Sequence, residues 1–142
     1  MAQTIPNPEP AGARSAPHLD CERLHCYRVA VEFQLLAARL VASRRVGATL
    51  RDQLDRASVS IVLCIAEGAG RRFARDKANF FTIARGSATE CAAVLDLLLA
   101  RGLLASADYR HGRGLLVRVV QMLTRLIARH APGSCPPAGG LG

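Results

Sequence analysis

Residues 53–90 read QLDRASVSIVLCIAEGAGRRFARDKANFFTIARGSATE. Leu54, Ala57, Ile61 and Ile65 recur at helical spacing. Gly68 and Gly70 interrupt the pattern, and Phe80, Ile83 and Ser87 resume it. The spacing predicts two amphipathic helices joined by a glycine-marked, arginine-rich break. Ser60, Glu67, Ser87 and Glu90 stand where a plain helical hairpin would have apolar residues. Ser60 and Glu67 are seven apart on one helix and Ser87 and Glu90 three apart on the other, so each pair shares a face.

Working outward, four helices are expected, over about 20–44, 49–68, 76–101 and 106–130. Asp20, Thr49 or Ser43, Asp76 and Ser106 are candidate N-caps. Gly68, Gly70 and Gly102 are natural helix ends, and Gly112 and Gly114 weaken the first turns of the fourth helix. In the first helix Leu24, Tyr27, Val31, Leu35, Ala38 and Val41 form one apolar stripe. Phe33, Leu36 and Leu40 form a second, which fits one face in the core and another against a partner subunit. Short connections make neighbours antiparallel. The expected fold is all-α, an up-down-up-down four-helix bundle over 19–130. A disordered Pro- and Ala-rich arm precedes it (1–18), and a disordered tail follows (131–142).

Composition agrees. Of 142 residues half are hydrophobic, 4% are aromatic and none is tryptophan. Uncharged apolar runs fall far below the ~20 residues that span a bilayer. The opening MAQTIPNPEP lacks the apolar centre of a signal peptide. A cytoplasmic protein without membrane contact is expected. Cys64 and Cys91 lie in apolar helical stretches and read as small buried hydrophobes. With Cys21, Cys26 and Cys135 they make an odd set, for which no disulfide framework is expected.

The order Gln53-Leu54, Arg56-Ala57, Ser60-Ile61, Ile65-Ala66-Glu67-Gly68, Gly70-Arg71, Phe80, Ala84-Arg85-Gly86-Ser87 and Glu90 resembles the four helix bundle proteins encoded by intervening sequences of bacterial 23S rRNA genes. The resemblance is dense over 53–90 and looser over 20–52 and 103–130. It implies a left-handed four-helix bundle that assembles as a homopentamer with a basic surface. The chain is also distantly similar to the accessory variability-determinant proteins of diversity-generating retroelements, pentamers that bind a reverse transcriptase and nucleic acid. One departure stands out: the family usually carries Asn immediately before Ile-Ala-Glu-Gly, where this chain has Cys64.

The four seam residues admit two readings. Near a shared turn they could converge as a paired-carboxylate or cation-binding site, neutralised by Arg71 or Arg85. The preferred reading is a structural polar network that fixes helix register and subunit orientation. Glu22-x-x-His25 occurs once, whereas a di-iron bundle needs two copies and two further glutamates. Cys21, His25 and Cys26 lack a matching pair to complete a zinc site. No P-loop, catalytic serine motif or dinucleotide fingerprint occurs. Neither metal, cofactor nor enzymatic activity is expected.

The formal net charge is +8, and it is segregated. Arg71, Arg72, Arg75, Lys77 and Arg85 stand against Asp76 alone. Arg110, Arg113, Arg118, Arg125 and Arg129 follow without any acid. Arg118, Arg125 and Arg129 share a helix face. Such fields attract polyanions, and a ring-shaped oligomer would multiply them. The expected nucleic-acid-binding residues are Arg71, Arg72, Arg75, Lys77, Arg85, Arg118, Arg125 and Arg129. The expected function is phosphate-directed, non-enzymatic binding of nucleic acid, structured RNA in preference to DNA. Base readout is not expected, because no aromatic residue is seen to interleave the arginines. The alternative is an adaptor or scaffold for an acidic protein partner such as a reverse transcriptase complex.

Overall fold

The structure, a computed structural model, describes residues 17–133. Most of the expected arm and tail, and Cys135, lie outside the described residues. A 3-10 turn (Asp20–Arg23) leads into α1 (His25–Ala42), α2 (Ala48–Gly70), α3 (Ala74–Ala100) and α4 (Ser106–His130). Among the described residues there is no strand. Among those residues, too, no helix is long and apolar enough to cross a membrane.

Each helix packs on its neighbours in chain order, and α1 closes onto α4. Across the diagonals no Cα pair comes within 8 Å among the described residues. Cross-helix contacts run in opposite directions along each pair. Ser60 meets Ser87, while Gly68 lies against Phe80 and Phe81. Tyr109 bonds Asp96, and Arg85 reaches Thr124. His25 meets Arg118, and Arg39 meets Asp108. The 3-10 turn, the α2–α3 turn and the C-terminus of α4 therefore share one end of the bundle.

The expected helices are present, with instructive differences at their ends. Asp20 does not cap α1. Residues 20–23 form a separate turn, held by the Leu19 backbone N–H donating to the Glu22 carboxylate at 2.8 Å, and Leu24 is extended before α1 begins. Gly47, Phe73 and Ala105 occupy the N-cap positions of α2, α3 and α4, without a side-chain cap. Asp76 and Asp108 lie in first turns instead, where their charge favours the helix dipole. Gly102, at φ 71°, ends α3 as expected. Its N–H donates to Leu99 O, and that of Leu103 to Leu98 O at 2.9 Å, a Schellman motif.

Gly68 and Gly112 have other roles. Gly68 lies within α2, and a Cβ there would sit 2.9 Å from the Phe81 ring. Gly112 lies under the ends of Leu36 and Leu95. Both allow close helix approach, and Gly112 is a packing position rather than a weak first turn.

Phe33, Leu54, Ile61, Ile65, Phe81, Leu95, Leu98, Leu116 and Leu123 fill the centre. In α1 the core stripe is the one through Phe33 and Leu36, joined by Cys26, Val29, Ala30 and Ala37. Leu35 points outward, 63% exposed. Cys91 is buried, and burial pushes its thiol up to about 12, with the Glu90 charge adding to the shift. Cys64 is only half-buried. Cys21, Cys26, Cys64 and Cys91 are free thiols.

Candidate functional site

Of the four seam residues, the structure joins two. Ser60 Oγ and Ser87 Oγ lie 2.9 Å apart, with Cys64 Sγ 3.7 Å from Ser60 Oγ. Cys64 thus adds a weak sulfur contact one turn beyond Ser60, where an amide would offer stronger partners. Glu67 is exposed and pairs with Arg71 one turn on. Glu90 is exposed on α3. Since Gly68 sits level with Phe80 and Phe81, Glu67 and Glu90 are roughly 14 Å apart along the helix axes at ~1.5 Å per residue. Within one chain, therefore, the four residues do not form one network, and the carboxylates do not pair.

The basic residues sort into three groups. Arg71 and Arg72 from the α2–α3 turn and Lys77 from the first turn of α3 meet Arg129 and His130 from the end of α4 and Asp20 and Arg23 from the 3-10 turn. Together they line a cleft of about 450 Å³. Arg125 and Arg129 line an adjoining depression with Arg23 and His25. Arg118 continues this seam, its guanidinium 2.9 Å from His25 Nε2. Arg75 and Arg85 stand apart. Arg75 is exposed on the first turn of α3, and Arg85 Nη1 lies 3.4 Å from Thr124 Oγ1 on the α3–α4 face.

Local structure holds the cleft open. Lys77 Nζ donates to Ala69 O at 2.7 Å and to Gly68 O at 3.3 Å. It thereby gives Ala69 O a donor, adds a second to Gly68 O, which already accepts the Arg71 N–H at 3.2 Å, and places a cation at the negative end of the helix dipole. Arg71 pairs with Glu67 and stacks over Phe80, 4.8 Å from the ring centre. Arg72 lies over Phe73 at 5.7 Å. Burial, followed by the nearby Lys77 and Arg129 charges, holds His130 below the usual imidazole range. With five cations against Asp20, the cleft suits an anion, and desolvated phosphate oxygens match its guanidinium lining.

Two contributors were missed from the sequence. Arg23 reaches the site because antiparallel packing brings the start of α1 beside the end of α4. Phe73 corrects the expectation that no aromatic interleaves the arginines. It lies between Arg72 and Arg75 and is 65% exposed. Among the described residues no group of His, Cys, Asp and Glu is arranged to hold a metal ion. His25 instead faces Arg118, and Glu22 accepts the Leu19 N–H.

No curated protein matches the chain. The family model of the 23S rRNA-intervening sequence protein does match, over residues 22–125, from the 3-10 turn into the last turns of α4. With most of its length matched, this chain, a four-helix bundle, belongs to that family.

Proposed function

We propose that this protein is a non-enzymatic, self-associating bundle that binds nucleic acid, RNA in preference to DNA, through its phosphates. The observation that carries this reading is the convergence of Arg23, Arg71, Arg72, Lys77 and Arg129, from three separate chain segments, on one cleft. The adjoining seam through Arg125 and Arg118 extends the field along the bundle, giving a phosphate backbone a track to follow. Binding releases condensed counterions, so affinity falls steeply with salt. The family is named for intervening sequences of 23S rRNA, and RNA is accordingly the first polyanion to test.

Self-association is supported by two unlike apolar surfaces on opposite sides of the bundle. Val31, Val59, Val62 and Leu63 line a groove between α1 and α2. Ala88, Ala92, Leu116, Val117 and Val120 line another between α3 and α4. Contact between unlike faces is head-to-tail and closes into a ring when the rotation permits. A homopentamer, as the resemblance implies, would repeat the basic end five times and raise avidity.

The experiment is fluorescence anisotropy with labelled RNA between about 50 and 200 mM salt. The expected result is a linear fall of log affinity with log salt, whose slope drops by about 2 in an Arg72→Ala/Arg129→Ala double variant. Salt-independent binding, or a variant that binds like the parent, overturns the reading. So does preference for polyglutamate over RNA, which would identify an adaptor for an acidic protein.

A further inference from the structure

Phe73 is the most exposed aromatic side chain among the described residues, 65% accessible. Exposure of such a ring forgoes roughly 1.5–3 kcal/mol of burial. Its place is specific. It is the N-cap residue of α3, and its backbone carbonyl accepts the Lys77 N–H at 3.1 Å. Arg72 covers one side of the ring at 5.7 Å and also lines the cleft. Ring, guanidinium and anion cleft are therefore contiguous. The nearby carboxylates are Asp76, three residues on in the first turn of α3, Asp20 on the cleft wall and Glu67, already held by Arg71.

We propose that Phe73 is a stacking platform for an unpaired base, whose neighbouring phosphate enters the cleft beside Arg72. The inference rests on the nucleic-acid reading above and narrows it to single-stranded or looped-out segments. In a fully paired duplex the base faces are stacked on one another and closed to a side chain. An unpaired nucleotide presents both a π-face and a phosphate within one residue's reach. The ring carries no hydrogen-bonding group, so the site accepts any base. What it discriminates is paired from unpaired, not one sequence from another. Arg72 can serve both parts, since a guanidinium stacks on rings and forks to phosphate.

The chain has no tryptophan, so Phe73→Trp introduces a single indole reporter at the site. Three probes are compared at one salt concentration: oligouridine, a fully paired RNA duplex with the same number of phosphates, and inorganic polyphosphate. Oligouridine is expected to quench the indole of Phe73→Trp, and polyphosphate to leave it unchanged. Phe73→Ala is expected to weaken oligouridine binding at least about fivefold, the lower end of what base–aromatic stacking contributes. Its duplex and polyphosphate binding should stay within about twofold, since no phosphate contact is lost. Equal weakening for all three probes, no weakening for oligouridine, or a changed oligomeric mass of Phe73→Ala overturns the proposal. A changed mass would mean that a second copy covers the ring. If the parent protein binds none of the probes, the nucleic-acid reading falls and takes this one with it. If it binds all three and Phe73→Ala is neutral, only the stacking role falls. The side chain lies outside the core, so the variant keeps its fold, with helicity by circular dichroism as the control.

Discussion

Gly68 lies against Phe81 so closely that a Cβ on it would stand 2.9 Å from ring atom Cε1 and 3.0 Å from Cδ1. The Phe81 ring is 1% exposed and has His130 on another side, with ring centres 6.1 Å apart. It cannot swing away as the tip of a flexible chain would. Phe80 Cβ, at 3.0 Å, is equally fixed. Gly68→Ala must therefore push α2 and α3 apart, and should cost about 1–3 kcal/mol, as overpacking does. Gly70, two residues on, has nothing within 4 Å of its would-be Cβ. Gly70→Ala should be neutral or stabilise by up to ~1 kcal/mol through helix propensity. Urea unfolding of both variants checks the contrast. Equal stabilities would mean that the helices slide freely at this contact.

Ser60 and Ser87 make the cross-helix hydrogen bond that sets the α2–α3 register at mid-height. Replacing either by Ala leaves the other hydroxyl part-buried with its best partner gone, at a cost of about 1 kcal/mol each. The double variant should cost less than the two single costs added together, with a coupling of at least ~0.5 kcal/mol. Strict additivity in the cycle would show that both hydroxyls satisfy themselves elsewhere, Ser60 by turning to Cys64.

Much of this fold is legible in the sequence because the apolar period of α2 is unambiguous. Leu54, Ala57, Ile61 and Ile65 are all buried where the period places them. α1 is harder, since two stripes compete. Periodicity counts apolar residues but does not weigh volume, and the stripe carrying Phe33 takes the core while Leu35 faces out. Gly68 illustrates a different limit. Glycine ends helices and also admits close neighbours, and only the partner ring reveals which role applies. At the site, charge segregation marks Arg71, Arg72 and Arg129, but a spacing cannot show that Lys77 bonds the carbonyls of α2. Arg23 is hidden among residues that carry no local excess of charge, and topology alone brings it to the cleft.

Lys77 serves the fold as well as the field. Its ammonium group contacts the carbonyls of Gly68 and Ala69. Lys77→Met keeps most of the stem's packing and deletes the donor, leaving Ala69 O to water and Gly68 O with the Arg71 N–H alone. The expected loss is about 1 kcal/mol of stability. It should appear first as faster amide exchange in the last turn of α2, and unchanged exchange there would show that the ammonium contact does not hold that turn. RNA affinity should fall less than in Arg72→Ala, because two of the three ammonium donors already face the protein.

His130 should make both stability and binding depend on pH, with opposite signs. In the folded chain its pKa is held below 6.5 by burial and then by Lys77 and Arg129. Arg23, Arg71 and Arg72 line the same cleft, with Asp20 as the opposing charge. Above the unfolded value the imidazole is neutral in both states, and the contribution to stability is complete. As pH falls below 6.5, the unfolded chain takes the proton first, so stability is lost until the folded pKa is passed. His130→Gln removes this component, and its stability should decline less than the parent's between about pH 7 and pH 5. An RNA phosphate in the cleft reverses the local field and favours the imidazolium. RNA binding should then draw a proton onto His130 and tighten as pH falls through the same window. Calorimetric titration in two buffers of different ionisation enthalpy measures that uptake. A parent protein that takes up no more protons than His130→Gln would place the bound phosphate away from His130, and with it away from the Lys77 and Arg129 charges that act on that imidazole.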